Sequence, residues 1–556
     1  MKTTFLKRIS SVLLMLAMLF SACACGGSGS TGLNNGYNNN YNNDYNNNSN
    51  DSSIQTTEAA DTDINVDPIE TSASTESETE PPKQEEPPVN AVIKATELSD
   101  PDLRYVMIYN PKIYDENSAY DRSSLTLGYL GNQIDIDSSR GDGLEDDEGE
   151  SFNQISQNDW LNYLPDDINI EGDRADPMGT DYAKGDVKKF YVSADGNLQN
   201  RPEQEFVCAY AGKHCYVWSI AGRIDQTLID ELGAEFDNKI YTAVTDQFGT
   251  PRFVGESGKV NILLYGMSGG LLGYFALPDL FTPAELPQVG LSGMTCNTGH
   301  AIININSNWL QGTSAYKELV YSTMAHELQH CVNFSATFNT TNFAIMNTWL
   351  NESMSGYIEA ELYANSKDLS DHYGSFNSSA AIRNGQSLYN FDSVYPDIGV
   401  YGSVYHFSKY MESISGKTIY SSIMEYWRES YSRTLTVSEA IAKSTSKTVY
   451  DEIDGSIDYS NLSIQFDSAY DEWMSKLTLS FYLSCLSNDR NITTFKKIDR
   501  SSLLYDNISK AKIEGGGRII VALSGSTFTI PSGSDQGLIY VGLDKDFKPI
   551  TQFVCQ

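Results

Sequence analysis

Residues 326–330 read HELQH, and they lie inside a stretch, Ala315 to Asn333, that contains neither proline nor glycine. Such a stretch favours an α-helix, and positions i and i+4 of a helix lie on one face. His326 and His330 are therefore predicted to direct both imidazoles to one point. Zinc accepts histidine nitrogen in tetrahedral sites. The spacing thus predicts a metal site, with Glu327 placed beside it to polarise a water molecule.

A third ligand is expected from the helix that follows. Residues 348–352 (TWLNE) open a second predicted helix, and Glu352 comes 22 residues after His330. This distance lets the first helix end, the chain reverse, and the second helix present Glu352 to the metal. Two histidines and one carboxylate with an open fourth position form a catalytic zinc set. Glu359, two turns along the same face, is the alternative ligand or a hydrogen-bond partner of one histidine.

These two segments carry a family resemblance. HELQHCVNF (326–334) followed by WLNESMSGYIEAEL (349–362) resembles the hyicolysin family of secreted bacterial neutral metalloproteases, within the Glu-zincins. Ser353 stands where that family usually has glycine. The similarity extends over residues 190–430. It implies His326, His330 and Glu352 as Zn²⁺ ligands and Glu327 as the catalytic acid and base.

The resemblance also implies a substrate cleft and a donor for the reaction's oxyanion. An edge strand of the cleft would pair with an extended peptide, and Gly270–Phe275 is the expected strand. Glu-zincins use a downstream Tyr or His to stabilise the oxyanion. Residues 400–411 (VYGSVYHFSKYM) are similar to the family's downstream segment. Tyr401 is the first candidate for this catalytic role, and Tyr405 and His406 are the alternatives.

The N-terminus has the pattern of an export signal. A basic start precedes nine apolar residues, Val12–Phe20, which are too few to span a bilayer. Ser21 and Ala22 then precede Cys23, which resembles the lipobox of bacterial lipoproteins, although Phe20 stands where leucine is usual. Cleavage after Ala24 is the alternative. The pattern predicts an extracellular protein held to the cell membrane by a lipid anchor on Cys23.

The charge of the chain is concentrated near this end. The formal net charge is −35, and residues 24–90 contribute 12 acidic and one basic residue. An acidic chain lacks the basic face that phosphate binding requires, so no nucleic-acid partner is expected. Residues 34–50 contain 11 asparagines among 17 residues. Such segments bury too little apolar surface to fold, which predicts a disordered tether.

The remaining chain predicts an α+β fold. We expect a zincin-like metallopeptidase domain with a mixed sheet and active-site helices, a helical C-terminal subdomain, a small C-terminal β module and the tether. The expected divisions are a lipoprotein signal peptide (1–22), the tether (23–90), a β-containing region or pro-segment (91–185), the β-rich part of the peptidase (186–312), the helical catalytic part (313–500) and the β module (501–556). Six cysteines lie in the folded part, and Cys208 with Cys215 is the best local disulfide candidate.

Three functions remain open from the sequence. The first is a zinc-dependent endopeptidase with a protein or peptide substrate, which HELQH and Glu352 favour. The second is a zinc exopeptidase on the same scaffold, although no motif for anchoring a terminal amine is evident. The third is a surface lipoprotein that binds a ligand without catalysis, for which the Asn/Tyr tether and the β module are suitable.

Overall fold

A computed structural model describes most of the chain beyond the predicted tether. The described residues are 25–26, 90–113, 124–135, 181–198, 201–251, 258–268, 271–287, 291–310, 314–337, 346–366, 376, 380–389, 398–429, 435–487, 500–505, 507–550 and 553–556. They all belong to one compact unit, and a second unit, Ser30–Pro88, lies outside the described residues. The predicted signal peptide, Cys23 and the tether also lie outside them, except for Cys25, Gly26 and Asn90.

The described secondary structure contains both strands and helices throughout. The strands are β1 (Cys25–Gly26), β2 (Asn90–Lys94), β3 (Glu97–Ser99), β4 (Tyr105–Tyr109), β5 (Leu125–Leu127), β6 (Val187–Tyr191), β7 (Glu203–Ala211), β8 (Cys215–Ser219), β9 (Val260–Tyr265), β10 (Leu271–Phe275), β11 (Ile302–Asn306), β12 (Ile457–Asp458), β13 (Ala511–Ile513), β14 (Arg518–Ala522), β15 (Thr527–Thr529), β16 (Ile539–Leu543) and β17 (Phe553–Cys555). The α-helices are α1 (Gln226–Glu235), α2 (Tyr241–Phe248), α3 (Ser314–Thr337), α4 (Thr348–Tyr363), α5 (Ala380–Arg383), α6 (Ile398–Ser415), α7 (Ile419–Glu429), α8 (Val437–Ser444), α9 (Lys447–Asp454) and α10 (Ala469–Ser487). The predicted α+β class is confirmed.

The larger sheet is mixed and has seven strands in the order β1-β10-β11-β9-β8-β7-β6. Strands β8, β9 and β11 run parallel, and their residues are almost all buried, as is typical of strands covered on both faces. Strand β10 runs antiparallel to β11 at one side of the sheet. Beyond β10, only the two-residue strand β1 pairs with it among the described residues.

Helix α3 lies directly against β10 and β11 and is covered on its other sides by α2, α4 and α7. From Leu319 to Ser335 every side chain of this helix is buried except Tyr321, which is partly exposed. Leu319, Val320, Met324 and Leu328 are all buried. This burial over more than four turns places HELQH in the core.

The second sheet joins the two ends of the folded chain. Its six strands have the order β12-β2-β17-β16-β4-β14, and β4 lies between β14 and β16. Strand β2 runs parallel to the last strand, β17. The predicted regions 91–185 and 501–556 therefore contribute neighbouring strands to one sheet. The boundaries of the six predicted divisions themselves stay a prediction.

This second sheet is buried on both faces. Along β4, Val106 and Ile108 face a small core between the sheet and the short strand pairs β3–β15 and β5–β13. Met107 and Tyr109 face the main core, where the Tyr109 hydroxyl donates to the Ser475 carbonyl of α10 at 3.1 Å. Because alternate residues of a strand point to opposite faces, one sheet supports both cores. The second sheet is thereby packed against α10.

The six cysteines of the folded part are free thiols and are buried. The candidate disulfide between Cys208 and Cys215 is therefore absent from the structure. The Cys208 thiol lies at an irregularity of the β7–β8 pairing and donates to the Tyr210 carbonyl at 3.4 Å. Burial raises the pKa of Cys208 to about 11, so this thiol is unreactive at neutral pH.

Within the described part of the chain, no helix has both the length and the apolar character required to cross a bilayer.

Candidate metal centre

Two helices, α3 and α4, supply the residues of the predicted metal site. The predicted first helix is confirmed by α3, and the predicted second helix is confirmed by α4, which begins at Thr348 as expected. Asn347 occupies the N-cap position of α4, and its backbone carbonyl accepts from Leu350 and Asn351. The two helices pack side by side. This packing brings residues that are far apart in sequence into one buried site.

The structure brings His326, His330 and Glu352 together. The two Nε2 atoms lie 3.0 Å apart, and the rings are nearly perpendicular at 85°. Glu352 places one carboxylate oxygen 3.3 Å from Nε2 of His326 and the other 3.5 Å from Nε2 of His330. One potential ligand atom from each residue lies within 4.8 Å of the others. All three side chains are buried.

The far side of each imidazole is held by a residue of α4. Nδ1 of His326 is hydrogen-bonded to Oε1 of Glu359. Nδ1 of His330 lies 3.1 Å from the Ser355 hydroxyl, which also donates to Oε1 of Gln329 at 2.5 Å. A histidine that ligates a metal through one nitrogen commonly donates from the other to such a partner. These bonds leave the Nε2 lone pairs of both histidines directed at one shared point, where His326, His330 and Glu352 meet.

The electrostatics of this arrangement favour a cation. Burial is the main cause that lowers the pKa of His330 to about 4, which makes the ring neutral at pH 7. The Nε2 atoms of the two histidines lie 3.0 Å apart, and two unprotonated nitrogens at that distance repel one another. Among the described residues, Oε2 of Glu352 has no hydrogen-bond donor although it is buried. A metal cation at the shared point satisfies all three groups.

The prediction of Zn²⁺ as the cofactor is confirmed by this donor set. Two imidazole nitrogens and one carboxylate match the ligands that zinc takes in sites with an open position. The three ligand atoms converge closely enough for one ion. The described residues contain only this one group of at least three His, Cys, Asp or Glu side chains with metal-binding geometry.

Two further contacts fix the position of α4 along the axis of α3. Nδ2 of Asn333 donates to Oδ1 of Asn351 at 2.5 Å, on the turn that carries Glu352. The Ser355 bond to Gln329 lies one turn further along α4. Sequence reasoning did not find Ser355 or this pair of asparagines. For Ser355, the sequence feature that could have indicated its position is spacing. Ser355 follows Glu352 by three residues and so faces the same side of the helix.

The candidates for general base and oxyanion donor occupy different surroundings. Glu327 is fully buried on α3, next to His326 in the chain. Tyr401 is buried on α6, and its predicted role stays a prediction. The Tyr405 hydroxyl donates to Oε1 of Glu359 at 2.8 Å. His406 packs against Phe376 with ring centroids 4.7 Å apart, and burial lowers its pKa to about 3.

Comparison with known proteins finds a metalloprotease that is similar to part of the chain. No family model matches the sequence. A neutral metalloprotease, ShpI, from Staphylococcus hyicus is 30% identical over 226 residues, which are 39% of this chain and 49% of the relative. The match thus spans about half the length of that relative. This similarity supports the metalloprotease part of the expected resemblance, and the assignment to the hyicolysin type is taken up as a proposal.

A solved structure was also found to be similar. It is the M1 zinc metallopeptidase from Deinococcus radiodurans, with 10% sequence identity, coverage of 51% of this chain and 54% of that one, and a TM-score of 0.25. A TM-score this low does not indicate a shared fold.

Proposed function

We propose that this protein is a zinc-dependent endopeptidase of the hyicolysin type. The observation that carries the proposal is the convergence of His326, His330 and Glu352 on one buried point, with Glu327 on the same helix as the histidines. In this proposal the first three residues hold the metal. Zinc, when bound, withdraws electrons from the scissile carbonyl and makes a water molecule easier to deprotonate. The metalloprotease relative supports the same chemistry.

Glu327 is the proposed acid and base of the reaction. Its carboxylate accepts a proton from the attacking water as the new carbon–oxygen bond forms. It then donates that proton to the amide nitrogen as the carbon–nitrogen bond breaks, so the peptide ends as a carboxylate and an amine. Tyr401 is the proposed donor to the oxygen that gains negative charge.

Strand β10 is the proposed binding edge for the substrate. It lies at the side of the sheet next to α3 and runs antiparallel to its neighbour β11. Cys25 and Gly26 pair with its outer edge in antiparallel register. An extended peptide would make the same main-chain hydrogen bonds after displacing them. The predicted strand, Gly270–Phe275, agrees with β10 except for Gly270, which lies outside the described residues.

Gly273 sets the separation between this edge and the metal-site helix. A Cβ at Gly273 would lie 2.7 Å from the Asn304 carbonyl oxygen and 2.8 Å from Cγ2 of Thr323. Thr323 precedes His326 by almost one turn of α3. We expect Gly273→Ala to push β10 away from α3 and to lower kcat/KM roughly 10- to 100-fold, since small misplacements of a substrate are costly. Steady-state cleavage of a fluorogenic peptide measures this change.

The matched control for this change is Gly525→Ala, because a Cβ there meets no atom within 4 Å. It should leave kcat/KM unchanged. Equal values for the wild type and Gly273→Ala, with both proteins folded, would contradict the role of β10 in binding.

We also propose that the enzyme acts outside the cell and is anchored by a lipid on Cys23. The basic start, the short apolar segment and the small residues before Cys23 support this location. Cys23→Ser should move the protein from the membrane fraction to the soluble fraction of bacteria that express it. Membrane association that survives this substitution would exclude the anchor, and it would leave the peptidase proposal intact.

One experiment separates the proposed function from its alternatives. The purified protein is incubated with casein and with peptides blocked at both ends, before and after treatment with 1,10-phenanthroline and re-addition of Zn²⁺. We expect internal cleavage of the blocked peptides that is lost on chelation and restored by zinc. Cleavage confined to peptides with a free terminus would indicate an exopeptidase. Zinc-loaded protein that cleaves nothing would favour a non-catalytic lipoprotein.

A further inference from the structure

The contact between Tyr405 and Glu359 depends on the close packing of α6 against α4. Helix α6 packs against α4, and the Tyr405 ring lies fully buried on the α4 backbone. Gly356 makes this possible, because a Cβ at that position would overlap the Tyr405 ring. The ring therefore occupies the space that any larger residue at 356 would fill. The hydroxyl at the end of this ring reaches Oε1 of Glu359 at 2.8 Å.

Glu359 connects this hydroxyl to the metal site. The same oxygen, Oε1, is hydrogen-bonded to Nδ1 of His326, whose opposite nitrogen faces His330 and Glu352. Glu359 thus receives one hydrogen bond from a proposed ligand and one from Tyr405. A carboxylate held by two donors in a buried site has a fixed orientation, and it fixes the ring that it contacts.

On the basis of the proposed zinc site, we propose that Tyr405 is a positioning residue that sets the metal affinity of His326 through Glu359. Its hydroxyl lies on the Nδ1 side of the imidazole, while the ligand atoms converge on the Nε2 side. This position distinguishes Tyr405 from a donor to the substrate oxyanion, which must lie on the open side of the metal. Gly356 then has a defined role, because the absence of a Cβ there leaves room for the Tyr405 ring.

The test uses Tyr405→Phe, which keeps the ring on Gly356 and removes only the hydroxyl. Partners of metal-binding histidines change metal affinity by about 10- to 100-fold when they are altered. We expect a zinc Kd raised by that factor, measured by competition with a chromophoric chelator. At saturating zinc, kcat should change less than the zinc Kd does, since Tyr405 does not touch the substrate.

Two further variants define the mechanism. Glu359→Gln should raise the zinc Kd as well, and the double variant with Tyr405→Phe should lose little more than Glu359→Gln alone. Non-additive losses are expected because the hydroxyl acts only through the carboxylate. Tyr420→Phe is the matched control. Tyr420 is also buried, and its hydroxyl lies 3.3 Å from the Ser353 hydroxyl of α4. Its zinc Kd should equal that of the wild type.

Each outcome decides between named possibilities. An unchanged zinc Kd with a lower melting temperature in Tyr405→Phe would mean that Tyr405 only packs. An unchanged zinc Kd with a large loss of kcat would make Tyr405 the oxyanion donor. Additive losses in the double variant would show that Tyr405 acts independently of Glu359. If Tyr405→Phe does not fold, an unchanged zinc Kd in Glu359→Gln overturns the proposal. Wild-type protein that binds no zinc would instead refute the proposed function.

Discussion

Glu327→Gln is expected to lower kcat by about 10²- to 10⁴-fold while the protein retains its zinc, because a positioned acid and base contributes about that much. The amide has nearly the shape of the carboxylate, so the packing of α3 around this buried position is preserved. It cannot accept the proton of the attacking water. Metal analysis of the purified variant and peptide cleavage, measured on the same preparation, test both parts of this expectation.

Glu318→Gln provides the control for this experiment. Glu318 lies on the same helix but is exposed to solvent. Its replacement should change neither the zinc content nor kcat. If Glu327→Gln retains wild-type kcat, then Glu327 is not the acid and base. If it loses zinc, the side chain has a structural role at the metal site that the proposal does not include.

Glu352→Gln should have the second large effect, on metal binding and on the stability that metal binding confers. The substitution removes the negative charge next to both Nε2 atoms. We expect the zinc Kd to rise by more than the roughly 100-fold that is typical of residues behind the ligands. Zinc at about 1,000 times its Kd stabilises a folded protein by ~4 kcal/mol. The rise in melting temperature on adding zinc should therefore be present in the wild type and absent in the variant.

Without zinc, we expect a different order of stability for the wild type and Glu352→Gln. Glu352→Gln removes a buried carboxylate whose Oε2 has no hydrogen-bond donor among the described residues, so the zinc-free variant should be no less stable than the zinc-free wild type. Glu361→Gln is the control on the same helix. Glu361 forms ion pairs with Lys409 and Lys417 at 2.9 Å and 2.7 Å and is not part of the metal site. A wild-type response to zinc in Glu352→Gln would exclude Glu352 as a ligand.

Much of the larger sheet and of its neighbouring helices could be predicted from local patterns. The continuous apolar run VNILLY at 260–265 is typical of a buried strand, and β9 has those bounds. The pattern of residues 224–248 indicates two helices, and the structure has α1 and α2 there, joined by a short π-helical segment. These features depend on side-chain periodicity within one element, which the sequence contains directly.

The second sheet could not be predicted in this way. Strand β4 is a short apolar segment of five residues, and its partners β14 and β16 come more than 400 residues later. Strand pairing across such a separation leaves no periodic signal in either segment. The prediction of a disulfide between Cys208 and Cys215 is wrong for a related reason. Closeness in sequence does not determine where buried thiols point.

For the metal site, the sequence alone determined the pair His326 and His330, because a helix with four-residue spacing places both rings on one face wherever it packs. It also identified Glu352 and Glu359 as the acidic candidates of the next helix. Their spacing puts both on the same face, so helix geometry cannot tell which carboxylate meets the Nε2 atoms. Only the packing of α4 on α3 decided this. It places Glu352 against the Nε2 side of both rings and Glu359 behind His326, within reach of Tyr405.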